Sequence, residues 1–417
     1  MIKRFFENLS MSPKIIRRLH NYPRLIFAVL WAAIGFDFLC RQGWQGGWGF
    51  ILGTDFITLY GAGLLYRHNP SDLYDFQVQA RIQESLIAPT PYPGLNPFIS
   101  PPYVAMFYSI FNAFSLPVAF LIWNTLTLIL VVHSTYQLNL IVNKELKSLG
   151  LTFWQMLILV LSFFPFALGW RVGQNHGLTL WLVTNILWWQ RAGYPSLAGL
   201  LCGLLLYKPH FALGFLILWM VWKEWAALLS FIIVAILWVG TDLLSGNFPI
   251  YLDYIRLQSL LIELPWIQGF PSFGLITIYG LLATILPVSV KPILAVFSML
   301  QLLFLGILLG WFAHSLRNRP FLNQIPAWIF AILYPLVAAP YSLVHDLTII
   351  IPALVLWSAW KPSYRLLYLT IAIYLGSFFL LFVGALIEAA LLALFPPATL
   401  ILMICDYLFS AHHDKNV

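Results

Sequence analysis

Charged residues are scarce: Asp, Glu, Lys and Arg make up 9% of the 417 residues, where soluble globular chains carry about 25%. That scarcity excludes a water-soluble fold. Hydrophobic residues reach 61%, and one core could not hide so much apolar surface. Cysteine is also rare. Cys40, Cys202 and Cys405 lie far apart in or beside apolar runs, which argues against a disulfide framework or a cysteine zinc site. No Walker loop, no GxGxxG ahead of a helix and no HExxH occurs, so the phosphate loops, dinucleotide folds and zincin chemistry that need them find no support. Paired carboxylates of a metal site are not evident either, and neither a metal nor a cofactor is expected.

What the chain has instead is hydrocarbon-length apolar sequence. A helix needs roughly 20 apolar residues to cross the ~30 Å hydrocarbon layer. Such stretches fall near 25–41, 117–142, 152–170, 177–190, 195–207, 209–222, 225–243, 292–313, 325–341, 345–360, 366–387 and 389–409. Two shorter runs, 101–114 and 273–286, follow proline-containing loops. The net charge of +7 is not a nucleic-acid signal, because Lys and Arg gather at the N-terminus and in short loops, as the positive-inside rule produces. Placing Lys144, Lys147, Arg191, Lys223, Arg317, Arg319, Lys361, Arg365 and Lys415 on the cytoplasmic side requires the two short runs not to cross. The expectation is an all-α polytopic membrane protein with about twelve crossings, twelve to fourteen at most, both termini inside. It is read as a single integral membrane domain over 1–417. Residues 1–22 form a basic amphipathic segment on the cytoplasmic face, and the first apolar run is an anchor rather than a cleaved leader.

On this topology the polar segments 42–100, 171–176, Lys208, 244–272 and 340–346 all face the outer side. The first outer loop, 42–100, is too long for a passive connector. Its segment 56–66 suits a helix lying along the membrane surface. Asp55, at the junction of loop and apolar segment, is placed to act as a general base toward a hydroxyl; the blander role is a helix N-cap. Arg171 is a candidate phosphate ligand, and Gln174 and Asn175 are candidate sugar ligands, against an ordinary interfacial turn through His176. Lys208, next to Pro209, interrupts an apolar run. It either meets a lipid-linked phosphate or snorkels to the interface. His345 and Asp346 follow Pro340-Tyr341-Ser342, and His345 could hydrogen-bond a leaving phosphate or be a structural histidine. Asp37 is expected to pair with Arg41 one turn later. Arg67, Asp72, Asp75, Arg81 and Glu84 read as solvated loop surface, and His412-His413 as no metal site. Asp253, Arg256 and Glu263 lie in the 244–272 loop, candidate neighbours of an acceptor.

Taken in order, these segments resemble glycosyltransferase family 87, the DUF2029-type polyprenol-phosphate-mannose-dependent mannosyltransferases of the GT-C superfamily. The resemblance rests on Thr54-Asp55-Phe56 with Tyr60-Gly61-Ala62-Gly63, on Pro70 to Tyr74, on Pro101-Pro102-Tyr103 and on Pro165 ahead of Gly173-Gln174-Asn175. It continues through Ala198 to Gly203, Lys208-Pro209 and Ser342 to His345. The family turn Gly-Gln-x-Asn is here Gly-Gln-Asn-His, and the usual Tyr-Pro-Pro is Ser100-Pro101-Pro102.

The resemblance implies a GT-C fold and an inverting transfer of a sugar, mannose by family expectation, from a polyprenyl phosphate to a hydroxyl of a glycolipid or glycan. It implies Asp55 as catalytic base, with Lys208, Arg171 and His345 on the donor phosphate and Gln174, Asn175, Tyr60 and Asp346 on sugar or acceptor. The setting it suggests is the outer face of a bacterial inner membrane. Partners are then the lipid-linked donor, the acceptor and membrane lipid, with no nucleic acid. A transporter or flippase is the competing class, since it also uses broken helices and intramembrane charge; an O-antigen ligase would place its long polar loop late in the chain.

Overall fold

Apolar sequence and Pro/Gly punctuation resolve into helices. The structure, a computed structural model, describes residues 13–92, 94–142, 152–244, 248–267, 270–361 and 363–413. Among these, β pairing is limited to isolated bridges, Gln42–Gln45, Gln45–Ile51 and Leu275–Leu343. Residues 1–12 of the amphipathic segment, and Lys144, Lys147 and Lys415, lie outside the described residues.

Helix α1 (Pro13–Leu39) carries the first span and is followed by a tight loop to α2 (Thr54–His68). In the segment expected to lie along the membrane surface, Phe56 to Gly63 are all buried inside the protein. The helix packs so closely on α4 (Pro102–Tyr108) and the 3-10 turn Ser109–Ala113 that a Cβ on Gly63 would stand 2.7 Å from the Ser109 nitrogen. Between them, α3 (Phe76–Ile87) starts at Asp75, whose Oδ1 accepts from the Gln77 and Val78 amides. Asp75 is thus an N-cap rather than only solvated loop. The run 101–114 is far too short to cross a bilayer.

A long helix, α5 (Leu116–Leu140), leads to α6 (Phe153–Leu161) and α7 (Phe164–Val172), which are bent by 64° at their junction. Next come α8 (His176–Arg191), α9 (Pro195–Leu204, extended by a 3-10 turn to Tyr207), α10 (His210–Trp222) and α11 (Trp225–Leu244). These four run back and forth, with His176, Lys208 and His210 at one set of ends and Arg191 and Lys223 at the other. Their backbones touch: a Cβ on Gly199 would meet the Ala227 carbonyl oxygen at 2.1 Å, the close approach that small residues permit between membrane helices.

The remainder consists of α12 (Phe248–Leu261), α13 (Ile278–Ile285), α14 (Lys291–Leu316), α15 (Phe321–Ala338), α16 (Ile350–Trp360), α17 (Tyr364–Ile387) and α18 (Phe395–His413). Helix α15 is buried almost throughout, so it forms the axis of the bundle. Its C-terminal end feeds the loop 339–343 and a 3-10 turn, Val344–Ile349, that packs against α7 and α8.

Among the described residues, six helices are long and apolar enough to cross a membrane, or seven if the bent α6–α7 pair is one span. This corrects the expected twelve. Length is the physical reason. The 13 residues of α10 rise about 20 Å, short of the ~30 Å layer. The segments 195–207 and 344–360 are likewise short apolar helices. Hydropathy counts each as a span, although in α10 and 344–360 most of the apolar surface meets protein rather than lipid. Several long apolar helices still mark the chain as a multi-pass membrane protein.

Candidate active site

Asp55 lies in the first turn of α2, and the N-cap position belongs to Gly53, held at φ 66°. The carboxylate is therefore not committed to capping. Its Oδ1 accepts from Asn96 Nδ2 at 2.7 Å and its Oδ2 from Gln174 Nε2 at 2.8 Å. Both donors are themselves fixed. Gln174 Oε1 accepts from the Asn175 amide at 2.9 Å. Asn96 stands in the loop just before Pro97. That segment is pinned from α3: the Gln83 side chain bonds both the N–H and C=O of Asn96, and Gln79 Oε1 accepts from the Phe98 amide. Thr58 Oγ1 donates to the Asn96 carbonyl as well. The half-buried carboxylate is thus held by two neutral amides, and among the described residues no cation is bonded to it.

The second carboxylate is in the opposite situation. Asp346 is 1% exposed and Lys208 15%, and Lys208 Nζ meets Asp346 Oδ1 at 2.6 Å. Asp346 Oδ2 accepts from the Leu343 amide at 3.2 Å. Lys208 stands at the break between α9 and α10, where Pro209 cannot continue the helix. Three histidines surround this pair. His345 Nε2 is 3.7 Å from Asp346 Oδ1, too far for a hydrogen bond. His210 Nε2 lies 3.4 Å from Ser342 Oγ. His176 is fully buried with neither ring nitrogen partnered, and it fits only because residue 169 is glycine, whose Cβ would stand 2.5 Å from His176 Nδ1.

The two halves face each other. Asp55 is within electrostatic reach of Tyr92, Tyr341 and His345, and Asp346 of Tyr341, His176 and His210. Burial, and then the charges of Asp55 and Asp346, push the Tyr341 phenol well above its ordinary range, so it keeps its proton. The loop bearing it is fastened to the segment before α13: the Ile276 amide donates to the Ser342 carbonyl at 3.0 Å, and Thr277 Oγ1 to the Pro340 carbonyl at 3.3 Å.

Of the residues singled out from sequence, Asp55 with Gln174, and Lys208 with His345 and Asp346, come together. Asn175 is buried beside them with its Oδ1 unpartnered. Arg171 and Tyr60 are turned elsewhere. Arg171 donates through Nε to Asp37 and through its Nη atoms to the Phe50 and Ile51 carbonyls. That also corrects the expected Asp37–Arg41 pair. Tyr60 donates its hydroxyl to the Phe114 carbonyl at 2.9 Å. Asn96, which bonds Asp55, and the Tyr341 side chain were not among the candidates read from sequence. The one local signal for Asn96 was its place before Pro97.

Among the described residues, no three His, Cys, Asp or Glu side chains are grouped to hold a metal ion. The arrangement instead combines an acceptor-only carboxylate with a cation and histidines that suit an anion. The family model for glycosyltransferase family 87 matches residues 98–340, more than half of the chain. The chain belongs to glycosyltransferase family 87. No curated protein matches it in sequence. The matched span holds Gln174, Lys208, His176 and His210 of this glycosyltransferase, while Asp55, Asn96, His345 and Asp346 lie outside it and join the site through the fold. Family membership weighs against the transporter reading.

Proposed function

We propose that this glycosyltransferase moves a sugar, mannose by family expectation, from a polyprenyl phosphate to a hydroxyl of a glycolipid or glycan. The observation behind this reading is the contrast between its two carboxylates. Asp55 accepts two amide hydrogen bonds and, among the described residues, meets no cation; Asp346 is buried against Lys208. A base for an acceptor hydroxyl must be an ionised carboxylate with a lone pair to spare. A departing phosphate needs cations and donors already in place.

Asp55 takes the proton of the acceptor hydroxyl as that oxygen attacks the anomeric carbon. The bond to the phosphate breaks with inversion, and Lys208 and His345 meet the phosphate oxygens. Gln174 and Asn96 orient the base; Asn175 and Asp346 border the sugar. The chain acts as one integral membrane domain of GT-C type, with this surface on the extracytoplasmic side of a bacterial inner membrane. The donor's hydrocarbon tail stays in lipid throughout.

The test is transfer of radiolabel from polyprenyl-phosphate mannose to membrane-extracted acceptors by purified protein, wild type beside Asp55→Asn. Transfer that survives the substitution removes Asp55 as base. Absence of transfer from any polyprenyl-phosphate sugar, together with substrate flux in liposomes, rejects the transferase reading.

A further inference from the structure

The first span and the helix leading to Gln174 are joined by a buried ion pair that the proposed chemistry does not use. Asp37 is fully buried and Arg171 14% exposed, and they meet through Arg171 Nε and Asp37 Oδ2. Other groups of these two residues bond the loop before Asp55. Asp37 Oδ1 accepts from the Trp48 amide at 3.0 Å, and the Asp37 carbonyl accepts from the Gly47 amide at 3.0 Å. The Arg171 guanidinium donates to the Phe50 and Ile51 carbonyls at 3.2 and 3.3 Å. The Arg171 carbonyl accepts from the Gly53 amide at 3.2 Å. The loop fits so closely that a Cβ on Gly46 would stand 2.2 Å from Asp37 Oδ1.

The pair therefore fixes both partners of one hydrogen bond. The loop from Gly46 to Gly53 ends two residues before Asp55, and Arg171 precedes Gln174 by three. Between them, Gly173 in the left-handed conformation (φ 72°) turns the chain, and a Cβ there would be 2.6 Å from Phe56 Cβ. The path from Asp37 to the Asp55–Gln174 contact is thus short on both sides. A buried ion pair is a weak source of net stability, whereas a geometry of this kind is what alignment of a base requires.

We infer that Asp37 and Arg171 are a positioning pair that sets where the Asp55 carboxylate stands relative to Gln174 and Asn96; this rests on the reading of Asp55 as the base. Arg171 is then no phosphate ligand. Arg171→Lys keeps the charge but cannot reach Asp37 and two carbonyls at once, because an ammonium is a point donor and not a planar fork. Asp37→Asn keeps the shape and removes the charge.

The readout is carbodiimide labelling of carboxylates in the full-length protein in detergent, followed by peptide mass spectrometry, with Asp346 as internal reference. In Arg171→Lys, and independently in Asp37→Asn, Asp55 should label several-fold faster while Asp346 does not change. With polyprenyl-phosphate mannose as donor, kcat should fall by up to about 100-fold at nearly constant KM. Unchanged Asp55 labelling in either folded variant overturns the inference. So does labelling that rises equally at Asp55 and Asp346, since that reports a general loosening. Asp55→Asn run alongside separates the two ideas: activity surviving there removes the base, while the labelling rates alone decide whether the pair positions the carboxylate.

Discussion

Neutralising Lys208 and Asp346 singly and together separates what the pair does for folding from what it does for turnover. Removing one partner of a buried ion pair costs about 3–5 kcal/mol, because the other charge is left uncompensated. The two halves are unequal here. Lys208→Gln strands a carboxylate that is 1% exposed, with the Leu343 amide still bonded to it and His345 too distant to bond it. Its loss should lie near the upper end, about 4–5 kcal/mol. Asp346→Asn strands an ammonium that is 15% exposed and can turn toward water, so its loss should lie near about 3 kcal/mol. The double variant buries two neutral side chains that hydrogen-bond each other, and the amide oxygen introduced by Asp346→Asn can still accept from the Leu343 amide. Its stability should return to within about 1 kcal/mol of wild type. Turnover should not return, since the phosphate would meet no cation. Unfolding in mixed micelles followed by tryptophan fluorescence gives the stabilities, and label transfer gives turnover. A double variant that is stable and fully active would refute the reasoning, making the pair a strut.

Gln174→Ala removes one of two amides from the Asp55 carboxylate. It should slow label transfer by about tenfold, a loss of about 1.4 kcal/mol in barrier terms, with the donor KM held; an unchanged kcat contradicts this. Gly169→Ala pushes a methyl into His176 Nδ1, 2.5 Å from the ideal Cβ. It should destabilise by about 1–3 kcal/mol, as overpacking does, read by the same fluorescence assay.

The membrane character was legible from composition, because nothing but lipid accommodates such an apolar chain. The number of crossings was not. Hydropathy cannot tell a segment wrapped by protein from one wrapped by lipid, and α8, α10 and 344–360 are largely of the first kind. Asp55, Gln174, Lys208, His345 and Asp346 stood out because polar residues at breaks between apolar runs are costly unless used. Arg171 stood out for the same reason, yet its partner, Asp37, is 134 positions away, a pairing that no local pattern encodes. The Asp37–Arg41 expectation failed on that same ground. Asn96 was hidden because its role depends on Gln79 and Gln83, one turn apart on α3, gripping a segment that reads as plain loop. Tyr60 sat in the right motif, but its hydroxyl is committed to a carbonyl at the end of a 3-10 turn, a direction that sequence order does not give.

The short helices around Lys208 make bilayer thickness a variable of the reaction. At about 20 Å, α10 is roughly 10 Å shorter than the hydrocarbon layer, and with Met220 its one exposed residue the protein around it, not α10 itself, meets the lipid beside the site. Either lipid thins beside the site or water reaches down to it, and both make the lysine's charge tolerable. Long-chain lipids would press hydrocarbon over the gap and starve the phosphate of its hydrated approach. Short-chain lipids would widen it. Transfer rates measured in a series of phosphatidylcholines of rising chain length should therefore fall at the long end, with the sequence of the enzyme untouched.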